Sequence, residues 1–435
     1  MSINAFPKQT VVKFDDAFQM FEDALVISNA VVTKDYDPLL MEQSGDTIWL
    51  EQPYIMRSFD GWDQTNNFNS QTQLAVPITL ANVKSVPFII SATESRDSSQ
   101  QNSMEKGGKY KLASDINLSL MQEAAKGSLV VKRTVAATGF DDIGLCEVIM
   151  NERGVPQHDR FALIGPRDYL PMASNLQALS RSFDGSKSVN AYEKALLGSS
   201  VANFNVLKGD YSLRLAIQGG GAGITISTLD TTGQYYRPSA MSVGAGSLQS
   251  PTDNRYQTVT VSSTTGITGA GYNSSGVYNA GDAFTIAGLN SVHMETKQDT
   301  GQLMTFRVNR VLSSTTMEIS PPIITNQLFD SDSAAQYQNC VINTKSATSA
   351  IVFLNTVAAP INPFWQKDSI VIVPGKWTPP TNVDYLQAET KQGIQLTLTR
   401  QWDVKTQKML DRVDIFWGTA NLQPMQNGIL LFNQS

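Results

Sequence analysis

The chain has 435 residues, with 39 acidic against 33 basic side chains and a formal net charge of −6. This length predicts two to three domains, and a hydrophobic content of 41% is enough for sizeable cores. The acidic balance excludes a protein built to grip nucleic acid, which needs a basic face against the phosphates. The distant pair Cys146 and Cys340 excludes a secreted disulfide scaffold.

The N-terminal segment predicts a short amphipathic helix. Phe14, Phe18, Phe21 and Leu25 recur at helical spacing, and the helix should end near residues 28–29. The helix could pack on its own domain or act as an arm that docks on a neighbouring molecule, and the sequence leaves both interpretations open. No apolar run follows a basic start, and no later run approaches a membrane span. We therefore expect a reducing cytosolic setting without membrane insertion.

An extended hairpin is predicted next. Two segments have the pattern of strands: Thr47–Leu50, which contains Trp49, and Gln73–Ile78. The polar, turn-rich segment Arg57–Thr72 joins them. Trp62 lies near the tip of this loop. An isolated tryptophan at a loop tip more often marks a contact than a core position.

The long segment Met104–Lys126 predicts a helix with its apolar residues four apart on one face, and Gly127 should cap its C-terminus. The pair Gly107-Gly108 predicts a kink or a later start. After this helix the pattern becomes α+β, with a strand at Phe161–Ile164 and helices at Arg167–Leu179 and Ser188–Leu197. The pair Asp141-Asp142 could hold a cation or act as general acid and base, but adjacent acidic residues between glycines are more often a solvated turn, which is the interpretation adopted.

A low-charge stretch of about 135 residues, Ala222–Thr356, interrupts this pattern. About one residue in ten is charged there, against about one in five in the rest of the chain. Two long polar loops, Thr232–Asn254 and Thr268–Gly281, separate strands in this stretch, which predicts a small antiparallel barrel or sandwich. The six predicted strands are Gly223–Thr228, Gln257–Ser262, Ala283–Ala287, Thr305–Leu312, Thr316–Ile319 and Ala350–Leu354.

The chain leaves this module near residues 360–363. Strands are predicted at Val371–Val373, Ile394–Trp402 and Val413–Trp417, and the apolar end Gly428–Phe432 should be packed inside the protein.

The search for catalytic chemistry finds almost nothing. The histidines, His158 and His293, lie in different predicted modules without a motif around either. The spacing of Cys, His and carboxylate residues predicts no zinc site. The run Gly219–Gly223 precedes a strand, so it cannot present a helix N-terminus to a phosphate. We expect no catalytic residue, no cofactor and no metal, and a structural role.

The sequence resembles the major coat proteins of short-tailed bacteriophages of the Salmonella phage P22 type. Four groups of segments carry the resemblance, in the family's order: GDTIWLEQP with GWD at 45–53 and 61–63; NLSLMQEAAKGSLVV at 117–131; DNRYQTVTVSSTTGITG, GDAFTIAG and TFRVNRVLSSTTMEISP at 253–269, 281–288 and 305–321; and NPFWQKDSIVIV at 362–373. They are similar to the family's extended loop, the end of its spine helix, its inserted domain and the return from that insertion.

The resemblance implies an α+β fold of the Hong Kong-97 capsid type with an inserted small antiparallel β-barrel. The implied segments are an N-terminal arm at 1–43, an extended loop with flanking strands at 44–90, a peripheral domain with the spine helix at 91–128, a first axial and peripheral part at 129–221, the inserted barrel at 222–356, and a second axial and peripheral part with the C-terminus at 357–435.

The same resemblance implies a major capsid protein. It would self-assemble as pentamers and hexamers into an icosahedral shell around double-stranded DNA. A scaffolding protein would direct a procapsid that expands on maturation, and a portal protein would occupy one vertex. The chain would be found in the virion, and in the host cytoplasm during assembly. DNA would be enclosed without specific binding.

Candidate inter-subunit contacts come from the arm, the loop and the insertion. They are Phe14, Phe18, Trp49, Arg57, Asp60, Trp62, Asp63, Arg237, Asp253 and Arg255. Other functions stay open on the residues alone. A phage tail, decoration or adhesin component would share the Gly/Ser/Thr-rich β module, and an enzyme with a β module would need catalytic carboxylates. An encapsulin-type compartment should be shorter and lack the insertion.

Overall fold

The structure is a computed structural model that describes residues 8–34, 47–53, 55–68, 74–80, 82–91, 98–179, 200–210, 213–220, 223–228, 243–244, 247–248, 253–325, 335–342, 349–377 and 384–435. The α-helices are α1 Lys8–Ala24, α2 Ser98–Ala125, α3 Phe140–Glu152 and α4 Pro166–Leu179. Short 3-10 helices lie at Ser28–Ala30, Lys367–Ser369 and Pro424–Gln426. Within these described ranges no helix is both long and apolar enough to cross a membrane.

Most of the regular structure is strand. The strands are β1 Val32–Thr33, β2 Thr47–Glu51, β3 Ala75–Thr79, β4 Asn82–Ser91, β5 Leu129–Lys132, β6 Arg160–Ile164, β7 Phe204–Lys208, β8 Arg214–Leu215, β9 Thr225–Thr228, β10 Val243–Gly244, β11 Ser247–Leu248, β12 Gln257–Val261, β13 Ala270–Tyr272, β14 Tyr278–Ala280, β15 Ala283–Val292, β16 Asp299–Val311, β17 Thr316–Ser320, β18 Cys340–Ile342, β19 Ser349–Phe353, β20 Ala359–Pro360, β21 Asn362–Gln366, β22 Ile370–Pro374, β23 Asp384–Glu389, β24 Gln395–Asp403, β25 Lys408–Asn421 and β26 Asn427–Leu431.

The chain divides into two compact units. The first comprises Met1–Ile48, Pro77–Met121 and Ile370–Ala420; the second comprises Trp49–Val76, Gln122–Ser369 and Asn421–Ser435. This division is coarser than the six segments expected from the sequence, whose bounds stay a prediction.

The first unit is built on a sheet with the order β1-β22-β25-β24-β23, and β4 also pairs with β25. The antiparallel pairing of β4 with β25 runs from Ser91 opposite Lys408 to Asn82 opposite Trp417. The predicted apolar face of α2 is buried in this unit at Leu112, Ile116 and Leu120.

Glycines near α2 serve close packing. The helix begins at Ser98, six residues before Met104, and it continues through Gly107-Gly108. A Cβ on Gly108 would lie 3.2 Å from Cγ1 of Val86, so this glycine lets β4 approach the helix. Gly127 lacks the left-handed backbone of a helix cap, but a Cβ there would lie 2.5 Å from the carbonyl carbon of Asn427. Close backbone contact therefore requires this glycine.

The second unit contains a five-stranded sheet with the order β5-β26-β21-β6-β7. One face packs against α3 and α4 through a core that includes Met150, Met172 and Phe364. The other face packs against the base of the barrel through residues such as Ile429 and Ala283. Strand β26 is buried along its whole length because both faces of the sheet are covered. The prediction of a packed C-terminus is confirmed.

The interpretation of Asp141-Asp142 as a solvated turn was wrong. Both residues lie in the first turn of α3, and Asp142 is fully buried. Its Oδ2 accepts hydrogen bonds from the backbone N–H groups of Thr138 at 2.6 Å and Gly139 at 3.1 Å. Nε of Arg133 lies 2.8 Å from Oδ1. A buried carboxylate at a helix N-terminus satisfies the free N–H groups there.

The six strands predicted in the low-charge stretch form a closed antiparallel barrel. The pairings run β16-β17-β12-β9-β19-β15, and β15 closes the ring by pairing with β16. Strand β12 shows the expected alternation, because Gln257, Val259 and Val261 are buried and the residues between them are exposed. Inside the barrel the rings of Phe284 and Phe306 stack with centroids 5.6 Å apart.

The two ends of the barrel segment meet. Strand β8, before the barrel, pairs antiparallel with β20, after it, with Leu215 opposite Ala359. The backbone N–H of Ile361 also donates to the carbonyl of Leu213 at 2.8 Å. The barrel is therefore an insertion with a paired neck.

The predicted long elements outside the ring are described in part. Thr268–Gly281 contains the hairpin of β13 and β14. Of Thr232–Asn254 the structure describes little beyond the pair β10–β11. The predicted helix Ser188–Leu197 lies outside the described residues.

The excised segment Ala222–Thr356 should fold alone, because its six ring strands leave no open edge among the described strands and enclose an apolar core. We expect a cooperative thermal transition and a dispersed amide spectrum. In the fragment, Phe306→Ala should cost about 3–5 kcal/mol because this side chain is fully buried, whereas Val352→Ala, at an exposed position, should cost little. A disordered fragment would contradict an autonomous insertion.

Candidate subunit-contact surfaces

The extended loop has a well-bonded root. Strands β2 and β3 pair, and Trp49 is half-buried between the buried Ile48 and Leu50. The backbone N–H of Gln52 donates to the carbonyl of Leu74 at 2.8 Å. The predicted hairpin is confirmed at this root.

The tip of the loop is held by its own hydrogen bonds. Nε2 of Gln64 donates to the carbonyl of Gly61 at 2.6 Å and to that of Asp60 at 3.2 Å. Nδ2 of Asn67 donates to Oε1 of Gln64 at 2.6 Å. Gly61 has φ +100°, a conformation that favours glycine. These hydrogen bonds all join residues within 60–67, so the tip is organised by its own backbone and side chains.

Asp63 supplies a fixed negative charge at this tip. Its Oδ1 accepts from the hydroxyl of Thr65 at 2.5 Å and from the Thr65 backbone N–H at 3.1 Å. Both hydrogen bonds lower the pKa of Asp63, and the one from the Thr65 hydroxyl has the larger effect. The carboxylate therefore stays ionised next to Trp62.

Apolar side chains of the loop face solvent. Trp62 is completely exposed, Phe68 is 88% exposed and Met56 is 64% exposed. The guanidinium of Arg57 lies 5.1 Å from the ring centroid of Phe59. Exposed apolar groups concentrated on one loop are typical of an interaction surface, so the contact role of this loop stays a prediction.

The N-terminal helix packs against α2 within its own unit. Phe14 is buried, and Nζ of Lys109 lies 3.8 Å from the centroid of its ring while donating to its carbonyl at 2.9 Å. Phe18 is half-buried and stacks on Phe21 with centroids 6.4 Å apart. The face of the helix that carries Phe14 therefore packs on its own unit, which favours the first of the two interpretations left open by the sequence.

A second contact fixes the end of the same helix. Nδ2 of Asn117 donates to the carbonyl of Ala24 at 2.8 Å, and Oδ1 of Asn117 accepts from the N–H of Ile27 at 3.3 Å. The opposite face of the helix exposes Val12 and Met20. Among the described side chains of α1, Val12 and Met20 are the large apolar ones that are exposed.

The candidates in the insertion are bound within the chain. Nε of Arg255 lies 2.9 Å from Oδ1 of Asp253, and Nη2 lies 2.6 Å from Oδ2. Nη1 of Arg255 donates to the carbonyl of Asn421 at 2.7 Å. Arg237 lies outside the described residues. A contact role for these three residues stays a prediction.

Lys109 and Asn117 were missed from the sequence because their partners lie more than 90 residues away. One signal pointed to Lys109, since it falls three residues before Leu112 on the apolar face of α2. A lysine on an apolar face needs a partner. Among the residues that the structure describes, no group of three or more Cys, His, Asp or Glu could hold a metal ion.

Comparison with known proteins gives a family match over almost the whole chain. A family model described as P22 coat protein, gene protein 5, matches residues 1–433. Among solved structures, the capsid of the cyanophage P-SCSP1u matches with 11% identity and a TM-score of 0.45, over 93% of this chain and 86% of that chain. Mycobacterium phage Che8 matches with 8% identity and a TM-score of 0.43, over 93% and 90%. The CUS-3 coat protein I-domain is 31% identical over 32% of this chain and 99% of that domain, with a TM-score of 0.20.

The expected fold is confirmed. The described residues have the long helix, the extended loop, the α+β units and the inserted antiparallel barrel of a Hong Kong-97-type capsid protein.

Lys109 should give the chain a measurable pH dependence. Burial lowers the pKa of Lys109 to about 8, from 10.5 in the unfolded chain, so the unfolded state binds more protons between these values. The free energy of unfolding should therefore rise with pH from about 8 to 10.5, by an amount on the order of 3 kcal/mol. Urea unfolding at several pH values would measure this slope.

The Lys109→Met variant should lose the part of the rise of unfolding free energy with pH that comes from Lys109. Lys111→Met is the matched control, because Lys111 is an exposed lysine on the same helix and should leave the slope unchanged. Identical pH profiles for the wild type and Lys109→Met would contradict the assignment.

Proposed function

Because the chain belongs to the P22 coat protein family and is a major capsid protein that forms the icosahedral shell of a phage, we propose that it assembles through a scaffold-directed procapsid that expands on maturation. The assembly route is proposed from the family, and the structural observation that supports contacts between subunits is the loop tip, which presents Trp62 fully exposed on a turn already held by hydrogen bonds. A turn that is already ordered loses little backbone conformational entropy when it binds a neighbour.

A projecting loop of this kind is suited to assembly of the subunits into rings. Pentamers and hexamers in a shell use heterologous contacts, in which a projecting element of one copy meets a different surface of the next. Individually weak contacts can be corrected during assembly, and their number makes the closed shell stable. The candidate contact residues of the loop are Trp49, Arg57, Asp60, Trp62 and Asp63.

The remaining partners follow from the same proposal. A scaffolding protein and a portal protein take part in assembly in the host cytoplasm, and the shell then encloses double-stranded DNA. The net charge of −6 supports enclosure without specific binding, because an acidic wall does not adhere to phosphates. We assign the chain a purely structural role without catalysis.

Electron microscopy of the purified full-length chain tests the proposal. We expect closed shells or capsomer rings, and more uniform shells when the scaffolding protein is added. Soluble monomers under every condition, together with turnover of a small substrate, would overturn the proposal.

Trp62→Ala should impair assembly far more than folding, because a fully exposed side chain contributes little to the stability of the free chain. Assembly can be followed by light scattering and folding by urea unfolding, where we expect a change within about 0.5 kcal/mol. Trp62→Phe is the matched control and should retain most assembly. Equal losses of folding and assembly in Trp62→Ala would refute the role of the loop tip.

A further inference from the structure

A cavity of about 80 Å³ lies in the second unit, where the root of the extended loop meets the barrel and the C-terminal turn. Its walls are mainly apolar. Ile55 and Leu74 come from the loop root, Ile324 and Tyr337 from the segments beside the barrel, and Met425 from the turn before β26. An apolar cavity with a few placed polar groups is the usual form of a small-molecule site.

Most polar groups on these walls already have partners in the chain. Nδ2 of Asn339 donates to the carbonyl of Pro322 at 2.6 Å, and Oδ1 of Asn339 accepts from the N–H of Ile324 at 3.0 Å. Nε2 of Gln52 donates to the carbonyl of Leu422. Arg255 is bound by Asp253, so its charge is compensated. These groups leave little demand for a polar ligand.

Lys297 differs from the other polar groups on the cavity walls in its electrostatic partners. Its Nζ donates to the carbonyl of Gln338 at 3.0 Å, and no carboxylate within the described residues forms an ion pair with it. Burial lowers the pKa of Lys297 to about 8, as expected for an amine without a counter-charge. Lys297 has φ 56° because it lies in the hairpin turn between β15 and β16, where its N–H donates to the carbonyl of His293 at 3.0 Å.

We propose that this cavity binds a short aliphatic carboxylate, with the tail among the apolar walls and the carboxylate paired with Nζ of Lys297. The volume accommodates a ligand of about five to eight non-hydrogen atoms, since one water-sized group needs about 10–15 Å³ of such space. A carboxylate would provide the counter-charge that no described residue supplies to Lys297, and charge-assisted hydrogen bonds are the strong ones.

Such a ligand would contact three parts of the unit at once. It would touch the loop root at Leu74, the barrel at Lys297 and the C-terminal turn at Met425. Because a ligand that binds only the folded state stabilises it, occupancy should hold the loop root against the barrel.

Ligand-observed saturation-transfer NMR on the unassembled full-length chain tests the site with sodium hexanoate as the probe. We expect saturation of the hexanoate methyl and methylene signals and an increase in melting temperature with hexanoate concentration. Hexylamine has the same tail with the opposite charge and should bind at least tenfold more weakly. This comparison uses the wild-type chain, so it does not depend on how any variant folds. Binding of hexylamine equal to that of hexanoate would overturn the proposal.

Lys297→Met keeps an apolar side chain and removes the charge. It should weaken hexanoate binding at least tenfold while leaving the binding of 1-hexanol unchanged. Lys132→Met is the matched control, because Lys132 is exposed in the same unit and should leave hexanoate binding unchanged. Unchanged hexanoate binding by Lys297→Met would also overturn the proposal. Assembly plays no part in either measurement, so failure here is distinct from failure of the proposed capsid role.

Discussion

The paired neck of the inserted barrel is the constraint on which the second unit depends. Strands β8 and β20 bring the two ends of the insertion together, and Asn355 reinforces this point. Its Nδ2 donates to Oδ1 of Asp282 at 2.8 Å and to the carbonyl of Ala216 at 3.1 Å, and its Oδ1 accepts from the N–H of Ala283. Because the ends meet, a long insertion adds little loop-closure cost to the sheet that carries it.

That sheet in turn needs the end of the chain. Strand β26 lies between β5 and β21, so residues at about one third of the sequence are joined to residues near its end. Its two faces contribute to two cores, one with the helices and one with the barrel base. The close approach of Gly127 to Asn427 belongs to the same arrangement, since a side chain at this position would push the strand away. The barrel therefore rests on a surface that exists only after the C-terminal strand has been added.

Local pattern was enough to predict the barrel strands but not the contacts that are distant in sequence. Alternation of apolar and polar residues is a property of each strand, so β12 and β17 could be read directly. Helix α3 was missed because Gly144 interrupts the helical pattern and because Asp142, shortly after Gly139, resembles a turn residue until its partner Arg133 is known. The cavity at Lys297 joins three separate parts of the sequence, and no local pattern indicates such a meeting.

The structure shows how the few charged side chains of the insertion are used. Several of its described charged side chains are bound inside the chain: Asp253 with Arg255, Glu318 with Arg310, and Asp299 with Asn290. An exposed ion pair contributes little and is weakened by salt, whereas burial of apolar area is much less sensitive to salt. The loop tip with Trp62 and Phe68 offers mainly apolar area. We therefore expect the loop tip to contribute to the shell mainly by apolar burial at many repeated contacts, and the charged side chains of the barrel named above to contribute little, because they already have partners within their own copy.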